Sequence, residues 1–166
     1  MSNPEAPPRQ NNALVAAAIL LLLMFAANFL VDVPSGGWWK AAGLGVLLIG
    51  LIFVTLPFAH LPRYGRPQKG DPYFVTTRLV IEGIYQVVRH PQYLGYALLA
   101  LGLALLNPHA LLIVLAAGSC LCFYMQAVHD DNHNRTHFGD TYDQYAASVP
   151  RFNFLLGLLR WAARVS

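Results

Sequence analysis

Long apolar runs separated by short polar stretches organise this chain. Residues 13–31, ALVAAAILLLLMFAANFLV, carry no charge. That is about 19 positions, enough to cross a bilayer as a helix. Arg9 is the single basic residue before the run, its apolar core is long for a signal peptide, and more apolar runs follow, so it reads as a retained span. Residues 1–11 are expected to form a flexible tail. Residues 32–40, DVPSGGWWK, predict a short turn with Trp38, Trp39 and Lys40 as interface anchors. A second span follows over 41–59, with Gly43, Gly45 and Gly50 available for close helix approach and Pro57 placed to kink or end it.

The third run, 93–106, is short for a crossing. It becomes adequate if the helix begins near His90 or Gln92, with Pro91 in its first turn. The fourth run covers 110–128. Asn107, Pro108 and His109 between them predict a tight helical hairpin. Beyond Val128 the chain turns polar, and the helix is expected to continue to about His137 and stop at Gly139. Asp140 or Thr141 then caps another short helix. Residues 152–163 are apolar but too few to cross. They predict an interfacial or re-entrant helix with Arg160, Trp161 and Arg164 at the headgroups. The expected fold is all-α: a polytopic membrane bundle of about four transmembrane helices with a C-terminal interfacial helix, forming one domain over 1–166.

Composition supports this. Of the 166 residues, 56% are hydrophobic and 11% charged, against roughly 25% charged in a soluble domain. A soluble chain so poor in charge could not cover its surface. The net charge of +3 is modest, and its placement matters more. Arg63, Arg66, Lys69, Arg78 and Arg89 crowd a short loop that holds only Asp71 and Glu82 in opposition. By the positive-inside rule that loop is cytoplasmic. With four spans, both chain ends and the 129–151 segment share its side. The expected setting is a bacterial inner membrane with the chemistry on the cytoplasmic face. Nucleic acid is not an expected partner. Oligomeric state is not readable, although the glycines of the second span suit self-association. Cys120 and Cys122 point to different helix faces and predict no disulfide.

Three groups could carry chemistry on the polar face. Arg89 and His90 stand among Tyr85, Tyr93 and Tyr96. Asp130 and Asp131 are adjacent carboxylates at the end of a span, costly unless wet, paired or useful. Arg151 follows a Val-Pro pair and precedes an aromatic residue. Each also has a structural reading, as a span-flanking charge or a salt bridge. His129, His133 and His137 recur every four residues and, with Asp130, offer imidazole and carboxylate to zinc or iron. The spacing is not that of a zinc protease, and no metal is assigned. Neither a Walker motif nor a Rossmann fingerprint is present.

The segment 79–105 resembles the isoprenylcysteine carboxyl methyltransferase and phospholipid methyltransferase superfamily of integral membrane proteins. Gly83, Tyr85, Arg89, His90, Pro91, Tyr93 and Gly95 fill every position of the signature Gly-x-Tyr-x-x-x-Arg-His-Pro-x-Tyr-x-Gly. Phe138, Gly139, Tyr142, Tyr145, Val149, Pro150, Arg151 and Phe152 fit its second signature. The resemblance covers roughly residues 40–155. It implies S-adenosyl-L-methionine as methyl donor and a lipophilic or small hydrophobic acceptor that enters from the bilayer. It further implies His90, Arg89, Tyr85, Tyr93, Gly95 and Tyr142 as cofactor-binding residues, with 129–152 as the cytoplasmic segment facing cofactor and substrate. By motif matching, Asp130 or Asp131 takes the place of a glutamate pair, and with Arg151 positions the acceptor. Asn134 stands where the family has Leu. The acceptor group, whether carboxylate, amine or thiol, stays open. Alternatives are a nicotinamide-dependent reductase of the sterol-reductase type, a His-cluster metal enzyme and a non-enzymatic membrane partner.

Overall fold

The computed structural model describes residues 12–31, 36–65 and 78–165. The expected tail over 1–11, part of the turn at 32–40 and much of the basic loop, with Arg66, Lys69 and Asp71, lie outside the described residues. The described chain forms six helices: α1 (Asn12–Leu30), α2 (Gly37–Tyr64), α3 (Pro91–Leu106), α4 (Ala110–Phe138), α5 (Asp140–Ser148) and α6 (Phe154–Val165). A single 3-10 turn, Gly83–Gln86, precedes α3.

α1, α2 and α4 are long and apolar enough to cross a membrane, whereas α3 is a shorter apolar helix of 16 residues. The protein is therefore an all-α, multi-pass membrane bundle. α2 lies along α3, α3 against α4, and α4 against α1. Large apolar side chains on the outer faces stay exposed, among them Leu22, Phe29, Leu48 and Val114, as lipid contact requires. Met24, Ala100, Ala104, Leu112 and Ala116 knit α1, α3 and α4 together. Phe53, Val88 and Leu94 form a second cluster with Ile84, Phe152 and Phe154.

The tightest seam is between α2 and α3. A Cβ on Gly43 would meet Leu106 N at 2.9 Å, and one on Gly50 would meet Gly95 O at 3.0 Å. In return, a Cβ on Gly95 would meet Val54 N at 2.7 Å, and one on Gly102 would meet Leu47 Cγ at 2.7 Å. Within each helix the two glycines are two turns apart and share a face. The helices run antiparallel with their backbones in near contact, as small residues allow in lipid. Gly45 belongs elsewhere: nothing lies within 4 Å of the Cβ it lacks.

Several expectations need correction. Trp38, Trp39 and Lys40 are not in a turn but in the first turn of α2, where the indoles stack at 3.9 Å. α2 does not stop at Pro57 but runs through Pro57 and Pro62. Asp140 is the first residue of α5 rather than its cap; Gly139 occupies the cap at a φ of 54°. Other boundaries agree. Pro91 opens α3 with His90 as the preceding residue, and α4 runs unbroken to Phe138. Cys120 and Cys122 are free thiols.

α6 docks through one stripe. The Phe154 ring meets Phe53 at 5.7 Å, Gly157 abuts the Val87 carbonyl, and Trp161 Nε1 donates to Gln86 Oε1 at 2.8 Å. Arg164 completes it, donating to the Gln86 carbonyl at 2.8 Å. Leu155, Leu158 and Leu159 face outward.

The seam yields a paired prediction. Gly95→Leu forces α2 and α3 apart and lowers the thermal unfolding midpoint in detergent by several degrees. Gly45→Ala meets open space and raises it slightly, since Ala gains about 0.5–1 kcal/mol over Gly within a helix. Equal behaviour of the two variants would refute the assignment of the seam.

Candidate functional site

α4 contains about 43 Å of helix at 1.5 Å per residue, more than the ~30 Å of bilayer hydrocarbon. Its last ten residues, all beyond Val128, are largely polar and suited to stand outside the hydrocarbon. Asp130 and Asp131 lie just past the apolar part. Successive helical residues point about 100° apart, so the two carboxylates cannot share an environment.

Asp131 turns inward and is completely buried. Its Oδ1 accepts from His90 Nε2 at 2.6 Å and from the Tyr142 hydroxyl. Its Oδ2 accepts from Arg89 Nη1 at 3.0 Å, from Arg151 Nε at 2.8 Å and from Arg151 Nη2 at 2.7 Å. These donors come from the segment before α3, from α5 and from the segment before α6. The backbone ties the same pieces together: Arg89 N donates to Pro150 O at 3.0 Å and His90 N to Arg151 O at 3.4 Å. Burial, then the neighbouring carboxylate, push the Tyr142 phenol up to about 12, so it remains a donor. Burial likewise raises Tyr145, whose hydroxyl donates to Tyr85 O at 2.8 Å.

Asp130 turns toward a cavity of about 310 Å³, inside the ~300–1,000 Å³ range of small-molecule sites. Its Oδ2 accepts from the Tyr93 hydroxyl at 2.7 Å and its Oδ1 from Gln126 Nε2 at 2.8 Å. Tyr85, Tyr93, Phe138 and Tyr145 supply aromatic wall; Arg89, His90, His133 and Asn134 supply polar groups. His90 and Tyr93 stack at 5.8 Å, and Tyr96 continues toward Phe123 at 5.3 Å.

Of the residues expected at the site, Arg89, His90, Tyr85, Tyr93, Tyr142 and Asp130 line this cavity. Asp131, Arg151 and Gly95 do not. Asp131 lies behind the wall. Arg151 is held by Asp131 and by Tyr124, whose hydroxyl accepts from Nη1 at 3.0 Å and whose ring faces the guanidinium at 5.2 Å. Gly95 serves the α2–α3 seam. Sequence reasoning missed Gln126, although an amide inside an apolar run, one turn before Asp130, is the kind of intramembrane polar residue that signals a site. Tyr124 offered no such signal. His129, His133 and His137 are exposed, and only His133 reaches the cavity. Among the described residues no three His, Cys, Asp or Glu side chains gather as a metal-ligand set.

A model of the phospholipid methyltransferase family matches residues 38–141, well over half of the chain. The chain belongs to that family. A protein-S-isoprenylcysteine O-methyltransferase of Schizosaccharomyces pombe is 36% identical over 134 residues, covering 76% of this chain and 52% of the relative. Protein-S-isoprenylcysteine O-methyltransferase B of Arabidopsis thaliana is 25% identical over 122 residues, covering 68% and 58% respectively. The chain thus spans little more than half the length of these curated relatives. No solved structure matches it significantly. The family match takes in the whole first signature and the Asp130–Asp131 pair, so the cavity is built mainly from family sequence.

The two carboxylates separate by test. Asp131→Ala strands the Arg89 and Arg151 charges and costs about 3–5 kcal/mol, read as a large loss of thermal stability in detergent. Asp130→Asn keeps the shape and one acceptor oxygen, turns its amide N–H toward the Tyr93 hydroxyl, and costs about 0.5–1.5 kcal/mol, a fall of a few degrees at most in the melting midpoint.

Proposed function

We propose that this protein transfers a methyl group from S-adenosyl-L-methionine to a lipophilic or small hydrophobic acceptor at the membrane face. The observation that carries the proposal is the cavity itself. It brings the Arg89–His90–Tyr93 segment against Asp130 and the Phe138–Tyr145 segment, in a chain of methyltransferase family sequence.

The lining suits that cofactor. Aromatic walls fit a purine, and a carboxylate fits an ammonium or sulfonium. Arg89, in the lining, has its Nε buried with no hydrogen-bond partner among the described residues. It lacks an acceptor, which the carboxylate of an amino acid group carries. Asp130, Tyr93, Asn134 and Arg89 would hold the polar end, with Tyr85, Phe138 and Tyr145 along the flat end. When bound, the sulfonium supplies an already activated methyl group. The protein's part is then to orient and to exclude water. His90 and Tyr142 shape the wall, and their hydrogen bonds to Asp131 fix them. Asp131 and Arg151 act as positioning residues behind it. Asp130 is the one carboxylate in the described lining and the candidate to receive a proton or steady a cation.

In the same reading the chain is one domain with four crossings, α3 and α4 forming a hairpin through 107–109. Both ends and the cavity face the cytoplasm of a bacterial inner membrane, and α6 lies in the interface. The basic residues beside the cavity favour this orientation. Self-association of the second span is left only its Gly45 face, because Gly43 and Gly50 are taken by α3.

Calorimetric titration of the purified protein with S-adenosylhomocysteine tests the cofactor. Wild-type protein binds, Asp130→Asn binds about tenfold more weakly, as a lost charge-assisted contact implies, and Gly45→Ala binds normally. No binding by wild type, or binding of a nicotinamide cofactor in its place, would sink the proposal. Extraction of lipids from membranes given methyl-labelled donor then identifies the acceptor.

A further inference from the structure

A second cavity, of about 910 Å³, lies between the 78–86 segment, α5 and α6. It shares Leu79, Phe138 and Tyr145 with the first, as a common wall. Its own lining combines apolar Ile81, Val149 and Trp161 with two guanidinium groups, Arg78 and Arg164.

The charges in this lining do not cancel. Glu82 is its one carboxylate among the described residues. Both Glu82 oxygens are committed, one to Arg78 and the other to Ile81 N at 3.0 Å. Among the described residues Arg164 meets only a carbonyl, Gln86 O, which accepts a hydrogen bond but brings no negative charge. A guanidinium has five N–H donors, so most of Arg164's capacity is unspent. Arg160, one turn earlier on α6, likewise meets only a carbonyl among the described residues, Ala147 O at 3.4 Å. Trp161 spends its N–H on Gln86, which leaves its ring to the cavity as apolar surface. The outward face of α6 is Leu155, Leu158 and Leu159, the pattern of a helix lying in a membrane interface. With α6 in the interface, as proposed above, the cavity opens at the depth of lipid headgroups.

We infer that this second cavity binds an anionic phospholipid, its phosphate on Arg164 and its acyl start against Ile81, Val149 and Trp161. A zwitterionic lipid is disfavoured because its ammonium would find no uncommitted carboxylate in the lining. The inference does not rest on methyl transfer. It concerns a site beside the methyl-donor cavity, through whose shared wall a bound lipid would press on Phe138 and Tyr145.

The test is native mass spectrometry of the full chain released from nanodiscs of equal phosphatidylglycerol and phosphatidylcholine. Wild type retains phosphatidylglycerol in preference. Arg164→Gln lowers that retention about tenfold, as loss of a charge-assisted contact implies. Ser148→Trp, which fills the cavity from α5, lowers it further, and Arg135→Gln, away from the cavity, leaves it unchanged. Should Ser148→Trp fail to fold, Arg164→Gln alone decides, its folding checked by its melting midpoint. Equal retention of the two lipids, or retention unaffected by Arg164→Gln, overturns the inference. A further arm adds inorganic phosphate at millimolar concentration: persistence of the lipid supports a membrane source, and its displacement overturns the lipid assignment in favour of a soluble phosphate.

Discussion

A carboxylate cut off from water is tolerable only when donors surround it, and Asp131 is where this protein meets that condition. Arg89, His90, Tyr142 and Arg151 converge on its two oxygens from three separate stretches of chain. Such an arrangement is weak evidence for net stability, because desolvating the charges costs about as much as their attraction returns. Its contribution is geometric. Removing any one partner leaves the others buried and unsatisfied. The pieces therefore hold one mutual arrangement, and Arg89, His90 and Tyr142 carry it directly into the cavity wall.

The membrane part sets the height at which this can occur. The glycines of α2 and α3 bring two backbones into contact, which fixes where Pro91 starts α3 and hence where His90 stands. α4 then carries the helix unbroken from lipid into the polar layer, so Gln126, Asp130 and Asp131 lie on a rigid rod rather than a loop. Side chains set on helices are positioned more closely than side chains on loops. The site can thus be assembled from few residues in a small chain.

Much of this was legible in the sequence. Uninterrupted apolar runs located the long helices. The Pro91 start and the Gly139 stop were readable because each acts through local backbone chemistry that needs no partner. What was not legible depended on partners. Gly43, Gly45 and Gly50 look alike in sequence, yet only the first and last face α3. Gly95 belongs to the signature that lines the cavity, and its missing side chain serves α2 instead. Arg160, Trp161 and Arg164 read as headgroup anchors, and the reach of Trp161 and Arg164 back to Gln86, 75 and 78 positions earlier, had no local signal. The Asp pair was ambiguous for the same reason. Sequence shows two adjacent carboxylates, and only packing shows which one turns inward.

That division bears on the resemblance, which sets Asp130 and Asp131 against a glutamate pair. An aspartate reaches one carbon–carbon bond less far than a glutamate. At position 131 the shorter reach is met by partners that close in on α4: His90, Tyr142 and two arginines all touch it directly. At position 130 the side chain is steadied by Tyr93 and by Gln126, from its own helix, and it sits beside His133 and Asn134 in the cavity lining. The inner carboxylate thus keeps a structural task for which length can be compensated by packing. The outer one faces open volume with polar neighbours beside it. Under the proposed function, what the cavity accepts is therefore to be probed at Asp130, His133 and Asn134, which line it, not in the buried cluster behind them.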